Sequence, residues 1–258
     1  MRLSPCLEWV FADEAAAFAD RIGLAAAAGF DAVEFWLWSN KDLDAVEAAL
    51  RRHRVGVTSF VAEPMIALTD PANRAAFVAG LARSVAVARR LGAPCLIAQA
   101  GNDLPGRTRE EQRAALVACL REAAGVLAGT GVVLGVEPLN TLVDHAGYFL
   151  SSTSETLDVV DEVGRPEVRI VYDVYHSAVM GERTEEVLAG RVDRVAHVHV
   201  ADHPGRHAPG SGTIDLADRL AWLAAQGYAG AIGLEYAPVA ETPATIRADM
   251  MAELGAAR

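Results

Sequence analysis

The sequence predicts an α/β fold, a single (β/α)8 TIM barrel spanning residues 1–258, and three observations carry that reading. Short β-branched segments alternate eight times with Ala/Leu/Arg/Glu-rich segments of helical spacing. The short segments are apolar almost throughout, as strands of a parallel sheet covered by helices are. The length matches the roughly 250 residues that such a barrel takes. A doubly wound open sheet is the main alternative. It usually has fewer strands, and no Gly-x-Gly-x-x-Gly opens a helix here.

Taken in order, the first strand reads at residues 5–9 and its helix at 13–28, closed by Gly29. Strand two covers 32–37, before a helix at 42–53. Strand three covers 55–61. The helix at 71–91 starts at Asp70-Pro71, an acceptor side chain before a first-turn proline, and ends at Gly92. Strand four at 94–100 leads to a helix at 109–128, with Gly131 beyond its end. Strand five, 132–138, precedes a helix at 154–163 that starts at Ser152, Thr153 and Ser154 with Glu155 and stops at Gly164. Strand six at 168–173 pairs with a helix at 184–189. Strand seven at 195–201 pairs with one at 216–225, closed by Gly227. Strand eight at 231–236 leads to the last helix, 243–254. The longest non-periodic stretches, 63–69, 101–108, 139–152, 175–183 and 202–214, all follow strands. Barrel active sites are built from the loops at the C-terminal ends of strands, so the sequence points to its own working face.

Charge and composition remove several function classes. With 34 Asp+Glu against 23 Lys+Arg the net charge is −11, the wrong sign for a general nucleic-acid binder. No run approaches the ~20 apolar residues that span a bilayer. Residues 1–8 hold a charge and a proline where a signal peptide needs its apolar core. Cys6, Cys95 and Cys119 are odd in number, far apart and in no metal-like spacing, so they read as reduced thiols of a cytoplasmic protein.

Four consecutive strands end in a residue able to bind a metal: Glu137, Asp173, His199 and Glu235. Side chains alternate along a strand. Glu137 therefore shares its face with Gly135 and Val133, and Glu235 with Gly233 and Ala231, while Leu134, Val136, Ile232, Leu234 and Tyr236 take the helix-covered face. Small residues beneath each glutamate place both carboxylates inside the barrel mouth. Buried charges need compensation, yet Arg169, one layer down, is the single inward cation on these strands. Alone, each glutamate is as well explained by a structural ion pair and each histidine by a core hydrogen bond; His197 reads that way. Four together form a site for one hard to borderline divalent ion, Mg²⁺, Mn²⁺ or Co²⁺.

These residues and their surroundings resemble the xylose isomerase-like barrel superfamily of sugar isomerases and epimerases. The segment Val136-Glu137-Pro138-Leu139-Asn140-Thr141, then Val143-Asp144-His145-Ala146-Gly147-Tyr148, is similar to the hydroxypyruvate isomerase branch, as are Tyr172-Asp173-Val174-Tyr175-His176, Pro204-Gly205-Arg206-His207 and Gly233-Leu234-Glu235-Tyr236. The resemblance covers essentially the whole chain. It implies that Glu137, Asp173, His199 and Glu235 hold the ion, that Glu137 and Glu235 are the acid/base pair, and that His176, Arg206 and Glu34 contact substrate. It also implies a homo-oligomer and a small hydroxy-carbonyl or sugar substrate. The chain departs from the branch at two places. His199 stands where the branch tends to have Gln, as it does in ketose 3-epimerases and inosose-type isomerases. Gly212-Thr213-Ile214-Asp215 replaces a usual Gly-Glu-Ile-Asn. The leading expectation is a hydroxypyruvate isomerase-like enzyme. The alternatives are a ketose 3-epimerase or inosose-type isomerase, a metal-dependent dehydratase of the same barrel class, and a non-catalytic sugar-binding barrel. An endonuclease IV-like reading needs more metals, more His ligands and a basic face. Trp36 and Trp38 are expected either to wall the pocket or to pack under a loop.

Overall fold

The computed structural model describes residues 1–239 and 242–256. Eight strands, all parallel, form one sheet: β1 (Arg2–Pro5), β2 (Ala32–Phe35), β3 (Gly56–Val61), β4 (Cys95–Gln99), β5 (Val133–Glu137), β6 (Val168–Asp173), β7 (Val195–Val200) and β8 (Ala231–Leu234). The order β1-β8-β7-β6-β5-β4-β3-β2 curls the sheet round on itself. At the β1–β2 seam Cys6 bridges Glu34, and Leu7 N donates to Glu34 O at 2.9 Å. The predicted (β/α)8 barrel is the observed fold.

The helices connect the strands: α1 (Phe18–Ala27), α2 (Leu43–His53), α3 (Arg74–Leu91), α4 (Arg109–Leu127), α5 (Thr153–Val163), α6 (Val174–Val179), α7 (Thr184–Val187), α8 (Leu216–Ala225) and α9 (Pro243–Ala256). Their starts follow local chemistry. Asp42, Ser152 and Asp215 each accept a hydrogen bond from a first-turn backbone N–H, and Thr108 and Glu111 close a reciprocal capping box. Asp215 caps α8 as Asn would, so that departure from the branch pattern leaves the cap intact. Gly92 and Gly164 end their helices in the left-handed conformation. None of the described helices is long and apolar enough to cross a membrane. All three cysteines are buried and free, and burial pushes the Cys95 and Cys119 thiols up to about 12.

Several boundaries differ from expectation: strands two and eight, read at 32–37 and 231–236, end at Phe35 and Leu234, and the larger differences are these. The first strand is residues 2–5 rather than 5–9, because Arg2 extends outward to Asp31 (2.9 Å) and the chain turns after Cys6, whose carbonyl accepts from Trp9 N and Val10 N. The first helix starts at Phe18 instead of residue 13, since residues 7–14 form turns. Asp70 caps a 3-10 turn, Pro71–Asn73, that precedes α3. The helix read at 184–189 shortens to α7, and an unexpected helix, α6, begins directly after β6.

Inside the barrel the small residues make room for charge. Leu134, Val136, Ile232 and Leu234 are fully buried on the outer face of the sheet. On the inner face, a Cβ placed on Gly233 would stand 2.3 and 2.5 Å from the Glu34 carboxylate oxygens and 2.5 Å from His199 Cδ2. One on Gly135 would stand 2.7 Å from Val171 Cγ2. Arg169 serves the other end of the barrel, with its guanidinium near Pro166 O (3.4 Å) and the cleft lined by Arg165 and Arg194.

Gly233→Ala is therefore expected to destabilise by about 2 kcal/mol, lowering Tm by about 6 °C. Gly125→Ala, in α4 with nothing within 4 Å of the added Cβ, is expected to raise stability by about 0.5–1 kcal/mol. Thermal unfolding followed by circular dichroism compares the two; an unchanged Tm in Gly233→Ala would show slack beneath the site.

Candidate metal and catalytic site

The alternation of β5 to β8 brings Glu137, Asp173, His199 and Glu235 together at the C-terminal mouth, each contributing a ligand atom within 4.8 Å of the others. All four are buried. His199 Nδ1 lies 2.8 Å from Glu137 Oε1 and 3.5 Å from Glu235 Oε2, while its Nε2 lies 3.2 Å from Glu34 Oε1. The two ends of Asp173 do different work. Oδ1 accepts from Tyr175 N (2.7 Å) and His176 N (3.1 Å), capping α6, and Oδ2 turns toward the cluster. That cap explains why a helix starts at once after β6, and it carries His176 over the site.

His176 is buried, and its Nδ1 accepts from Asn140 N (3.1 Å) and faces Asn140 Nδ2 (2.7 Å). A backbone N–H only donates, so Nδ1 holds the lone pair and Nε2 carries the hydrogen. That Nε2 has no hydrogen-bond partner among the described residues. Burial, reinforced by the Arg206 charge, holds the ring well below the usual histidine range and keeps it neutral. Asp144 steadies the arrangement, accepting from Asn140 Nδ2 (2.7 Å) and Tyr175 Oη (2.8 Å).

Arg206 arrives from the 202–214 loop. Its Nη2 lies 2.5 Å from Glu235 Oε2 and 3.5 Å from Asp173 Oδ2, and its guanidinium sits between the rings of Trp9 (5.0 Å) and Tyr175 (5.2 Å). Its Nε has no hydrogen-bond partner among the described residues. Asp202 organises the loop, accepting from the backbone N–H groups of His203, Gly210, Gly212 and Ile214 at 2.8–3.1 Å.

The electrostatics are those of crowded carboxylates. Burial raises the Glu137 carboxyl above its ordinary range, against the pull of His199. Burial opposes charge on His199 as well, but Glu34, Glu235 and Glu137 overcome it and hold the imidazole charged well above its usual range. Glu34 drops to about 2: burial raises it, and His199 and His197 together outweigh burial.

The donor set tests whether a metal fits. Three carboxylates and an imidazole converge with no thiol among them, which suits a hard to borderline divalent ion. Arg206 and His199 are the compensating positive groups in contact with the cluster.

The expected residues are placed as follows. Glu137, Asp173, His199 and Glu235 form the cluster, and His176 and Arg206 border it within a cavity of about 280 Å³. Glu34, expected as a substrate contact, lies one layer lower, held by His197 Nε2 (2.8 Å) and His199, and does not line that cavity. Trp36 walls the cavity and donates its indole N–H to Glu235 Oε1 at 2.6 Å. Trp38 instead packs away from it, donating to Ser84 Oγ at 3.0 Å. Sequence reasoning passed over Trp9, Gln99 and His145, which also line the cavity. Gln99 was findable, since it ends β4 in register with Glu137. Trp9 carried no signal, because its position depends on the turn after Cys6.

Comparison with known proteins shows what the chain is similar to. The chain is similar to the hydroxypyruvate isomerase of Escherichia coli, 29% identical over 89% of this chain and 92% of that one. It is similar to the 2-oxo-tetronate isomerase of Cupriavidus necator, 30% identical over 88% and 90%. Among solved structures, an AP endonuclease, family 2, from Brucella melitensis superposes with a TM-score of 0.87 at 28% identity, covering 97% of this chain and 98% of that one. The D-allulose 3-epimerase of a Methylomonas species superposes at 0.77 and 25% identity, covering 98% and 89%. The xylose isomerase-like TIM barrel family matches residues 22–253, and the chain belongs to that family.

Proposed function

We propose that the protein is a metal-dependent isomerase of small α-hydroxycarbonyl acids, interconverting hydroxypyruvate and tartronate semialdehyde or close relatives. The observation that carries this is the convergence of Glu137, Asp173, His199 and Glu235 beneath Arg206 in a small cavity. The isomerase names of the relatives support it. A cavity of about 280 Å³ is at the lower end for ligand sites and suits a substrate of few carbons. The net charge of −11 opposes a DNA-repair reading of the barrel.

Glu137, Asp173, His199 and Glu235 would hold the ion, which when bound supplies Lewis-acid stabilisation of developing negative charge on oxygen. The protein's own groups account for the proton. One glutamate of the pair Glu137 and Glu235 takes the proton from C3, and the electrons of that C–H bond form the C2–C3 double bond of an enediolate. Return of the proton to C2, with transfer of the hydroxyl proton from O3 to O2, completes the isomerisation. His176 Nε2–H donates to a substrate oxygen, and the Arg206 fork receives the carboxylate. Trp36, Leu37, Val61 and Ile97 line the cavity with hydrocarbon, keeping water from the carbanionic carbon.

His199 favours one second reading, a ketose 3-epimerase or inosose-type isomerase. Glu137 and Glu235 stand on β5 and just beyond β8, so return of the proton by the partner glutamate would invert the carbon.

Glu137→Gln and Glu235→Gln are each expected to lower turnover by about 10³-fold or more, within the usual acid–base factor of about 10²–10⁴ and increased by the loss of a ligand charge. Deuterium exchange in D₂O, followed by NMR, checks both variants and both readings. Exchange into hydroxypyruvate or tartronate semialdehyde supports the small-acid isomerase; exchange confined to ketoses or inososes moves the assignment to the epimerases. Metal dependence has its own readout in stability. Saturating Mn²⁺ at ~100 times its Kd is expected to stabilise the chelator-treated protein by about 2.7 kcal/mol, several degrees in Tm. An unmoved Tm across Mg²⁺, Mn²⁺ and Co²⁺ would count against the metal. Arg206→Gln is expected to raise KM for a carboxylate substrate by about tenfold or more, while an uncharged triose analogue loses less. Equal losses on both would remove Arg206 from carboxylate recognition.

A further inference from the structure

A second cavity, of about 300 Å³, opens beside the first and shares Met65, Gln99, Leu139 and His145 with it. Arg206, His176 and Glu235 line the first cavity and not the second. The second is therefore entered past Gln99, away from the guanidinium. Close packing of the loops after β3 and β4 shapes it. Leu68 N donates to Ala100 O at 2.9 Å, and Gly101, at φ +91°, lies so near the neighbouring loop that an added Cβ would stand 2.6 Å from Ala67 Cα.

Gln99 stands where the two cavities meet. It ends β4 in register with Glu137, so the two side chains share the inner face of the sheet. The inner wall on this side is otherwise apolar, with Val61 from β3 and Ile97 two residues earlier on β4. Gln99 interrupts that wall with a carboxamide that makes no hydrogen bond among the described residues; the Asn102 amide of the second cavity is in the same condition. A carboxamide offers an acceptor oxygen and two N–H donors, and a hydroxyl, donor and acceptor at once, matches it.

The direction of the substrate follows from the first cavity. With the carboxylate on Arg206 and the reacting carbons C2 and C3 between Glu137 and Glu235, whatever is attached to C3 extends away from Arg206 and toward β4. In hydroxypyruvate that substituent is a hydrogen, which gives the carboxamide nothing to bind. In a longer acid it is a hydroxylated carbon, C4.

We propose that Gln99 is a specificity-determining residue: its carboxamide holds the C4 hydroxyl, the second cavity receives the rest of the chain, and the preferred substrates are polyhydroxy 2-oxo acids of four or more carbons. The inference rests on the isomerase reading of the site and deepens it by naming the substrate class.

The test compares kcat/KM of wild type and Gln99→Met, each with Mn²⁺, on hydroxypyruvate, on 3,4-dihydroxy-2-oxobutanoate and on its 4-deoxy analogue. Wild type is expected to favour the dihydroxy acid over each of the others by about tenfold or more. Gln99→Met, similar in length but without the amide, is expected to lose about tenfold more on the dihydroxy acid than on the 4-deoxy analogue, because hydroxyl and carboxamide act as a pair. Equal losses on the two would overturn the proposal. Should Gln99→Met fail to fold, wild type alone decides: equal kcat/KM for the dihydroxy acid and its 4-deoxy analogue leaves no hydroxyl-reading residue. Turnover of hydroxypyruvate with no gain from the longer acid removes the role of Gln99 and keeps the isomerase reading, whereas no turnover of any of the three acids removes both.

Discussion

The structure depends on how negative charge is compensated at the mouth of the barrel. Glu137, Asp173 and Glu235 crowd into one buried cluster, with Glu34 just beneath. Two like charges about 4 Å apart repel by about 4 kcal/mol even at an effective dielectric constant of 20. Such a cluster is tolerable only with positive charge in contact, and the described residues provide two such groups. His199 touches Glu34, Glu137 and Glu235; Arg206 touches Glu235 and Asp173. The same electrostatic demand that keeps these side chains oriented makes the cluster receptive to a divalent cation. On the proposed metal-dependent function, a cation would take over the partners of Arg206 and free it to meet an anionic substrate.

Much of this was legible in the sequence because strands obey a strict period of two. The glycines at 135 and 233, two residues before glutamates, identified the inner face of β5 and β8, and the close approaches at both positions show why nothing larger fits. The barrel itself followed from the alternation of apolar strands and amphipathic helices, a signal spread over the whole chain and insensitive to local error. Element ends were less legible. The first strand slid by three residues because Arg2 is a strand residue whose side chain reaches Asp31. No periodicity reveals that a charged residue is tied down at a sheet edge.

Contacts that join distant loops left no trace in spacing. The indole of Trp36 finds Glu235, 199 residues away. Asp202 reads as one more loop residue, yet it gathers four backbone N–H groups and so shapes the turn that delivers Arg206. Asp173 was identified for its position at the end of a strand. Its second task, capping α6, was hidden, although a strand-end aspartate followed at once by helix-compatible residues is the pattern such a cap requires. The Asp173 case shows how one side chain economically couples fold to chemistry: the oxygen that starts the helix leaves the other aimed at the cluster, and the helix so started carries His176.

The barrel is divided, and the division bears on the reaction. β5 to β8 and the loops beyond them supply the carboxylates, the imidazoles and the guanidinium. On the other side, Val61 of β3 and Ile97 of β4 form an apolar group that reaches across to Val171 of β6, and Trp36 and Leu37 lean on it. A substrate held by its oxygens to the charged side therefore turns its remaining surface to hydrocarbon. Removing a proton from carbon leaves a basic centre that water would reprotonate indiscriminately, so an apolar wall opposite the glutamates favours return of the same proton by the same site. On the proposed function, the charged half would move the proton and the apolar half would keep it from being lost to solvent on the way.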